Sequence, residues 1–359
     1  LDFYKRCEDP KRYIEQLKEM AKKYGITVPI FACAGDFDIQ SATGYAEEVM
    51  PTINVYPDLG TPKLEARSIH YYKYMQERNY PLMVTETSRE HHLLRRLMLN
   101  GTKLLGPFNQ VGGTCFGFTN AINNWGRPLS FLASDYNFGG LINGQGEVSK
   151  EFYEARLLSN FIHLFKEKIG QSRMIAKKVE FIGKEDIKSY PYMVELHNGG
   201  YVTTATNYEN ELESIKIKID DQIYPRNCDI QLERLKAPFL LWNTSLDFLG
   251  IDTEIEFSSL ELSQHFKVNN RHVLVTYTDY VGEMQLKLPK KAVQSIQCDG
   301  RYELEDERLI INLHAGESCH INSAQFNLTI YTLTPKDAAL VDQITEDGMV
   351  LIRDEHVKS

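Results

Sequence analysis

The sequence predicts an α/β region followed by an all-β region, with the change near residue 170. Before that point, short apolar segments alternate with amphipathic segments of helical period. After it, apolar and polar residues alternate with period two, which is typical of antiparallel strands with one solvated face. No Pro- or Gly-rich linker separates the two regions. We therefore expect two domains, 1–170 and 171–359, the second of β-sandwich type.

The first region begins with a predicted amphipathic helix over residues 8–24. One face of that helix carries Tyr13, Ile14, Leu17, Ala21 and Tyr24, the spacing of a stripe that packs on a core. Gly25 follows as a C-cap, because glycine adopts the left-handed conformation that ends many helices. The next predicted elements, in order, are strands at 28–33 and 52–56, a helix at 63–78, a strand at 81–86, a helix at 90–99, a strand at 103–110 and a helix at 150–166.

These elements contain four strands separated by helical segments. Helical crossovers join parallel strands, so we expect a parallel sheet. Four strand–helix units are half of a closed (β/α)8 TIM barrel, which takes about 250 residues. Counting alone leaves two alternatives open. One is an open doubly wound sheet, and the other is a barrel of which strands five to eight are visible and the N-terminal half lies outside this sequence.

The second region contains four clear segments of alternating polarity, at 215–219, 255–257, 273–277 and 284–288. Glycine or asparagine residues between such segments predict turns, at Gly199-Gly200, Asn269-Asn270 and Gly282.

Composition excludes several functional classes. The chain has 359 residues, 42% hydrophobic and 25% charged, with a formal charge of −9. A negative chain is a poor partner for nucleic acid or an anionic membrane, which both attract positive charge. No apolar run reaches the ~18 residues that a membrane span needs. The six cysteines form no CxxC pair. We therefore expect reduced thiols and favour the cytoplasm.

Polar residues at the carboxyl ends of the predicted strands are the candidates for a site, because ligands bind at that edge of parallel sheets. Glu86 ends a strongly apolar strand, where a carboxylate is costly unless it has partners or a role. Its alternative interpretation is a salt bridge at a helix start, with Arg89 as the partner.

Several segments, taken in order, resemble family 35 glycoside hydrolases, the β-galactosidases. Residues 112–120 (GGTCFGFTN) resemble that family's Gly-Gly-Thr-Asn-Phe-Gly segment after barrel strand eight, and residues 134–137 (SDYN) resemble its Ser-Tyr-Asp-Tyr stretch. Residues 24–30 (YGITVPI) resemble its strand-five entry, and Glu86 stands where the family has its nucleophile at the end of strand seven. The likeness covers roughly residues 10–165 and favours the barrel alternative.

The resemblance implies a retaining glycosidase that releases terminal β-D-galactose and needs no cofactor or metal. Such enzymes use two carboxyl groups, one as nucleophile and one as acid/base. The family's acid is the glutamate of an Asn-Glu pair at strand four. The chain has that pair only at Asn210-Glu211, in the β region, so the acid is expected upstream of Leu1, on the N-terminal half of the barrel, or is absent.

Other residues are candidates for contact with the sugar. Tyr56 and Asn109 are polar residues at predicted strand ends, and Trp125 lies in a long loop where its ring could stack on a sugar face. Tyr136 matches a family tyrosine near the nucleophile, and the resemblance implies that its hydroxyl steadies the carboxylate. Each of the four has a loop or core role as its alternative.

Phe108 stands where the family has a sugar-contacting tyrosine, so a hydroxyl donor is lost there. This departure leaves three alternatives open: a family 42-like enzyme, an enzyme for another sugar, and a non-catalytic carbohydrate-binding protein. The oligomeric state, including a homo-oligomer, also remains open.

Overall fold

A computed structural model describes residues 7–35, 38–56, 63–113, 121–122, 132–133, 138–177, 179–183, 192–209, 211–345 and 350–352. The chain divides into two compact units, Leu1–Ser149 (unit 1) and Lys150–Ser359 (unit 2). The division therefore comes before the helix at residue 150, whereas the sequence placed that helix in the first domain.

Unit 1 follows the predicted order of strands and helices closely, with one short helix that the sequence did not predict, Ile39–Thr43. Its described elements are α1 (Pro10–Lys23), β1 (Ile30–Ala34), α2 (Ile39–Thr43), β2 (Val49–Val55), α3 (Lys63–Gln76), β3 (Leu82–Thr87), α4 (His91–Leu99), β4 (Thr102–Pro107), β5 (Ala121–Ile122) and β6 (Leu132–Ala133).

The main sheet of unit 1 has the order β1-β2-β3-β4. Every neighbouring pair in it is parallel, as the helical crossovers predict. Strands β5 and β6 form a separate two-stranded antiparallel ribbon.

The predicted TIM barrel is wrong. The four parallel strands form an open sheet with β1 and β4 at its edges, and no closed barrel is visible in the described part of the chain. The fold is mostly β, with 42% strand and 25% helix. Strand–helix alternation determines which neighbours pair, whereas closure needs a full set of strands with one consistent stagger. The alternation of strands and helices therefore predicted which strands pair, but it could not predict whether the sheet closes into a barrel.

Much of the predicted apolar face of helix α1 is exposed to solvent and not packed on the core. Tyr13, Leu17 and Tyr24 are 39%, 44% and 77% exposed, although their spacing predicted a core face. Ile14 packs on the small apolar cluster of unit 1, and Lys18 is buried with its Nζ donating to the Glu47 carbonyl at 3.0 Å. The helical period was correct, but the packed stripe is shifted: it keeps Ile14 from the predicted face and adds Lys18.

Unit 2 contains most of the strands. Its described elements are α5 (Lys150–Leu164), α6 (Lys166–Gly170), β7 (Arg173–Ala176), β8 (Glu180–Ile182), β9 (Tyr192–Glu195), β10 (Tyr201–Thr203), β11 (Leu212–Ile219), β12 (Gln222–Tyr224), β13 (Ile230–Glu233), β14 (Leu240–Ser245), β15 (Glu254–Ser258), β16 (Glu261–Val268), β17 (Arg271–Tyr277), β18 (Val281–Lys287), β19 (Val293–Cys298), β20 (Arg301–Leu304), β21 (Arg308–His314), β22 (Ser318–Ser323), β23 (Asn327–Leu333), α7 (Pro335–Leu340), β24 (Val341–Ile344) and β25 (Val350–Ile352), with 3₁₀ turns at Asp247–Leu249 and Lys290–Ala292.

The strands of unit 2 form more sheets than the two of the expected sandwich. An eight-stranded sheet has the order β20-β21-β18-β15-β14-β10-β9-β7, a smaller sheet centres on β11, and a five-stranded sheet has the order β16-β17-β23-β22-β19. Strands β24 and β25 pair as a separate ribbon. Gly282 lies inside β18 rather than in the predicted turn. Its lack of a side chain suits that place, because a Cβ there would lie 2.4 Å from Leu260.

Two apolar clusters pack within the part of unit 2 that the structure describes. One lies between the β11 sheet and the eight-stranded sheet, around Ile217, Trp242 and Phe257. The other packs α5 and α7 on β17 through Leu157, Val275 and neighbouring small residues. This second cluster explains why α5 belongs to unit 2: its apolar stripe is buried on strands of the β region.

Two histidines of the β16–β17 hairpin stack on each other. His265 Nε2 lies 3.1 Å from His272 Nδ1, and the two rings are stacked. Burial, then the neighbouring His272 and Lys267, lowers the pKa of His265 to about 4. The pKa of His272 is also lowered, by burial and by Lys267.

We expect the stability of unit 2 to be complete above about pH 6.5, the ordinary histidine pKa, and to fall as the pH drops toward 4, because the unfolded chain then binds protons that the native pair resists. The midpoint of thermal unfolding, measured from pH 7.5 to pH 4, checks this. His265→Gln should flatten the decline, and an equally steep decline in that variant would contradict the assignment to this pair.

Candidate functional site

The candidate site lies at the carboxyl ends of β2 and β3. Ile53 pairs with Val84 and Asn54 pairs with Glu86, so Thr85 is an extra residue in β3. Such a bulge redirects side chains. As a result Thr85 and Glu86 both form hydrogen bonds with side chains of β2.

Glu86 is half-buried and has a donor on each carboxylate oxygen. The Tyr56 hydroxyl donates to Oε1 at 2.7 Å, and the Asn54 amide donates to Oε2 at 3.2 Å. A donor on each oxygen fixes the orientation of the carboxyl group, because both acceptor positions are then directed at neighbouring side chains. Glu86 is therefore positioned as an oriented carboxylate at the edge of the sheet.

One of these donors, Asn54, is itself held by a small polar cluster on β1, β2 and β3. Cys33 Sγ donates to Asn54 Oδ1 at 2.8 Å, and Thr85 Oγ1 donates to Cys33 Sγ at 3.1 Å. Thr52 Oγ1 lies 2.9 Å from Thr85 Oγ1. Because Asn54 Oδ1 accepts from Cys33, the amide nitrogen is directed toward Glu86.

Phe108 and Asn109 follow β4 at the same edge of the sheet. The Phe108 backbone N–H donates to the Thr87 carbonyl at 2.8 Å, which brings the start of this loop beside the residue after Glu86. The Phe108 ring is 39% exposed and lies edge-on to Phe138. Arg89, the alternative partner considered for Glu86, donates to the Phe108 carbonyl at 3.4 Å.

The structure brings together four of the six predicted site residues along this edge: Tyr56, Glu86, Phe108 and Asn109. Trp125 and Tyr136 lie outside the described residues. The predicted roles of these two remain predictions.

Sequence reasoning missed Asn54, Thr85 and Cys33. A signal for Asn54 was present, because Thr52, Asn54 and Tyr56 alternate with apolar residues and so share one face of β2. Thr85 and Cys33 had no comparable signal, since one depends on a bulge and the other on a neighbouring strand.

Chemically, the site offers an oriented carboxylate, a phenol hydroxyl and an amide on one partly open surface. An ionised carboxylate in this arrangement can act as a nucleophile or a general base. Among the described residues there is no group of three or more His, Cys, Asp and Glu side chains that would hold a metal ion. None of the described helices is long and apolar enough to span a membrane.

Comparison with known proteins adds no assignment. No protein-family model matches the sequence, and no curated protein is significantly similar to it. The functional argument therefore depends on the residues and their geometry.

Proposed function

We propose that this protein is a retaining glycoside hydrolase and that Glu86 is its nucleophile. The observation that carries the proposal is the pair of donors on Glu86, Tyr56 at 2.7 Å and Asn54 at 3.2 Å. A glycosidase nucleophile must be held in one orientation toward the anomeric carbon, and these two contacts favour that.

In the proposed first step, one Glu86 oxygen attacks the anomeric carbon of the bound sugar. The glycosidic C–O bond breaks, its electron pair stays on the leaving oxygen, and an acid residue protonates that oxygen. In the second step, a water molecule loses a proton to the same acid residue, now acting as base. The water oxygen then attacks the anomeric carbon, and the bond between that carbon and Glu86 breaks. Each of the two steps inverts the anomeric configuration, so the overall reaction retains it.

The sugar specificity of the proposal comes from the resemblance to family 35. It favours terminal β-D-galactosyl residues as the substrate. The exposed Phe108 ring would pack against the C–H face of the sugar, because apolar contact is what a phenyl ring offers where the family has a tyrosine.

Covalent labelling of the intact protein tests the proposal. We expect 2-deoxy-2-fluoro-β-D-galactosyl fluoride to form an adduct on the peptide that contains Glu86, detectable by mass spectrometry. The fluoride leaves without an acid residue, so the result does not depend on where the acid lies.

Glu77→Gln is a matched control, since Glu77 is an exposed carboxylate in the same unit, and it should label normally. An adduct with the corresponding glucosyl or mannosyl fluoride, but not with the galactosyl one, would contradict the galactoside specificity. A folded protein that forms no adduct with any of them would contradict the nucleophile.

A further inference from the structure

Two cysteines that are far apart in the sequence lie opposite each other in the five-stranded sheet of unit 2. Cys298 ends β19 and Cys319 is near the start of β22, and the antiparallel register pairs the two residues directly. Residues opposed in this way have their side chains on the same face of the sheet. The pair belongs to unit 2 and Glu86 belongs to unit 1, so the chemistry of the pair is independent of the proposed function.

The backbone hydrogen bonds show that the two cysteines form a closely spaced pair. The Asp299 N–H donates to the Ser318 carbonyl at 2.9 Å, so these two residues are a hydrogen-bonded pair of the ladder. The two kinds of pair alternate along antiparallel strands, and Cys298 and Cys319 are therefore a non-hydrogen-bonded pair. Such pairs have Cα atoms about 4.5 Å apart, within the roughly 4.4–6.8 Å that a disulfide spans. The two strands can be cross-linked here without a change of register.

The two side chains are present as thiols and form a hydrogen bond with each other. That bond is the main cause that lowers the pKa of Cys298, and the Gly300 backbone N–H acts in the same direction. Burial and the carboxylates of Asp299 and Glu317 oppose this effect and are outweighed. The same hydrogen bond, followed by burial, raises the pKa of Cys319. Cys298 is therefore the thiol of the pair that ionises first, and the thiolate is the reactive form of cysteine.

Solvent exposure distinguishes the two thiols in the same way. Cys298 is half-buried, and its strand β19 is at the edge of the five-stranded sheet. Cys319 is fully buried and in register with Ile330 of the neighbouring strand β23. A small solute can therefore reach Cys298 but not Cys319. Oxidation of cysteine depends on both thiolate character and exposure, so Cys298 is the residue that meets an oxidant.

We propose that Cys298 and Cys319 are a redox pair that a hydroperoxide converts into a cross-strand disulfide. In the first step the Cys298 sulfur attacks the terminal oxygen of the hydroperoxide and the O–O bond breaks. The leaving oxygen takes the thiol proton and departs as an alcohol, or as water when the oxidant is hydrogen peroxide, and Cys298 becomes a sulfenic acid. In the second step the Cys319 sulfur attacks the Cys298 sulfur, the S–O bond breaks, and the hydroxide takes the Cys319 proton and leaves as water. The two thiols together lose two electrons, which reduce the peroxide.

The disulfide ties an edge strand of one sheet to its neighbour and closes a loop over residues 299–318. That loop contains β20 and β21, which belong to the eight-stranded sheet. Closing a loop restricts the unfolded chain and so favours the folded state. We expect the oxidised protein to have a thermal midpoint of unit 2 that is roughly 5–10 °C above that of the reduced protein.

Peptide mapping of the full chain tests the proposal directly. The protein is reduced with dithiothreitol, treated with hydrogen peroxide while folded, and then denatured with N-ethylmaleimide to block the remaining thiols. Trypsin places Cys298 in peptide 292–301 and Cys319 in peptide 309–336. Mass spectrometry should find the two peptides linked, and dithiothreitol should separate them. Recovery of Cys319 as a blocked thiol, or in a disulfide with another cysteine, would overturn the proposal.

Two variants test the separate roles of the thiols. Cys319→Ala removes the second thiol, so peroxide should leave a sulfenic acid on Cys298 that dimedone traps. In Cys298→Ser, the buried Cys319 should not react with dimedone after the same treatment. A dimedone adduct on Cys319, with none on Cys298, would overturn these roles. The peptide map of the unchanged chain needs no variant, so it tests the disulfide whether or not Cys319→Ala folds.

Cys228→Ser is the matched control in the same unit. Burial, then the charge of Glu283, raises the pKa of Cys228 to about 12, so this thiol should not react with peroxide. Peroxide should raise the thermal midpoint of Cys228→Ser as much as that of the unchanged chain, and should not raise that of Cys298→Ser. An equal rise in Cys298→Ser would overturn the assignment of the effect to this pair.

Discussion

Replacement of Glu86 by glutamine is expected to lower the kcat for dinitrophenyl β-D-galactoside by about 10⁴-fold or more, the scale seen when a covalent nucleophile is removed. Glutamine keeps the size of the side chain but is neutral, so it cannot attack the anomeric carbon. The dinitrophenolate leaves without protonation, and the rate therefore reports on the nucleophile rather than on the acid. Steady-state kinetics on the intact protein measure the effect.

Three controls make this result specific. Tyr56→Phe removes the donor to Oε1 and should give a smaller loss that is expressed mainly in kcat. Glu77→Gln should retain full activity. With Glu86→Gly, added azide should restore turnover and give a product of inverted configuration, because the small anion enters the vacated space. An active Glu86→Gln, or a Glu86→Gly that azide does not rescue, would contradict the assignment.

Replacement of Glu65 by alanine is expected to lower the thermal midpoint of unit 1 by roughly 10 °C or more. Arg96 on α4 is 1% exposed and Glu65 on α3 is 7% exposed. Arg96 Nη2 donates to Glu65 Oε2 at 2.7 Å, and Arg96 Nε donates to Oε1. Removal of the carboxylate leaves a buried guanidinium without this compensation, which costs about 3–5 kcal/mol.

The double variant Glu65→Leu/Arg96→Met should recover much of that loss, because it removes both charges and keeps apolar volume. Glu77→Gln is the exposed counterpart, since Glu77 lies 3.5 Å from Arg78 in solvent, and it should not move the midpoint measurably. Circular dichroism gives the midpoints, and hydrogen exchange of the α3 and α4 amides localises the change. A Glu65→Ala variant as stable as Glu77→Gln would show that this buried pair does not hold the two helices.

The sequence predicted much of unit 1 because its signals are local. Apolar segments separated by amphipathic ones specify strands and crossover helices, and short crossovers make successive strands neighbours. The observed order β1-β2-β3-β4 follows from that rule. The position of Glu86 at a strand end was also predictable, since an acidic residue that ends an apolar strand is visible in the sequence itself.

The closure of the sheet was not predictable from the same signals. Pairing depends on neighbouring strands, whereas closure depends on the stagger of all strands together. The packed face of α1 was predicted wrongly for a similar reason. The helical period identifies an apolar face but not whether another part of the protein covers it. In the β region, the period of two identified strands, while their distribution among three sheets depends on pairings between residues far apart in sequence.

By itself, the sequence determined the alternation of strands and helices, the period-two strands of the second region and the presence of a carboxylate at the end of β3. Only the tertiary structure decided which donors hold that carboxylate, which stripe of α1 is packed and where Arg96 finds its counter-charge. Backbone sterics and side-chain period act over a few residues, so a sequence displays them directly. Partners across strands and sheets depend on bulges, register and packing of the whole unit, which no local pattern specifies.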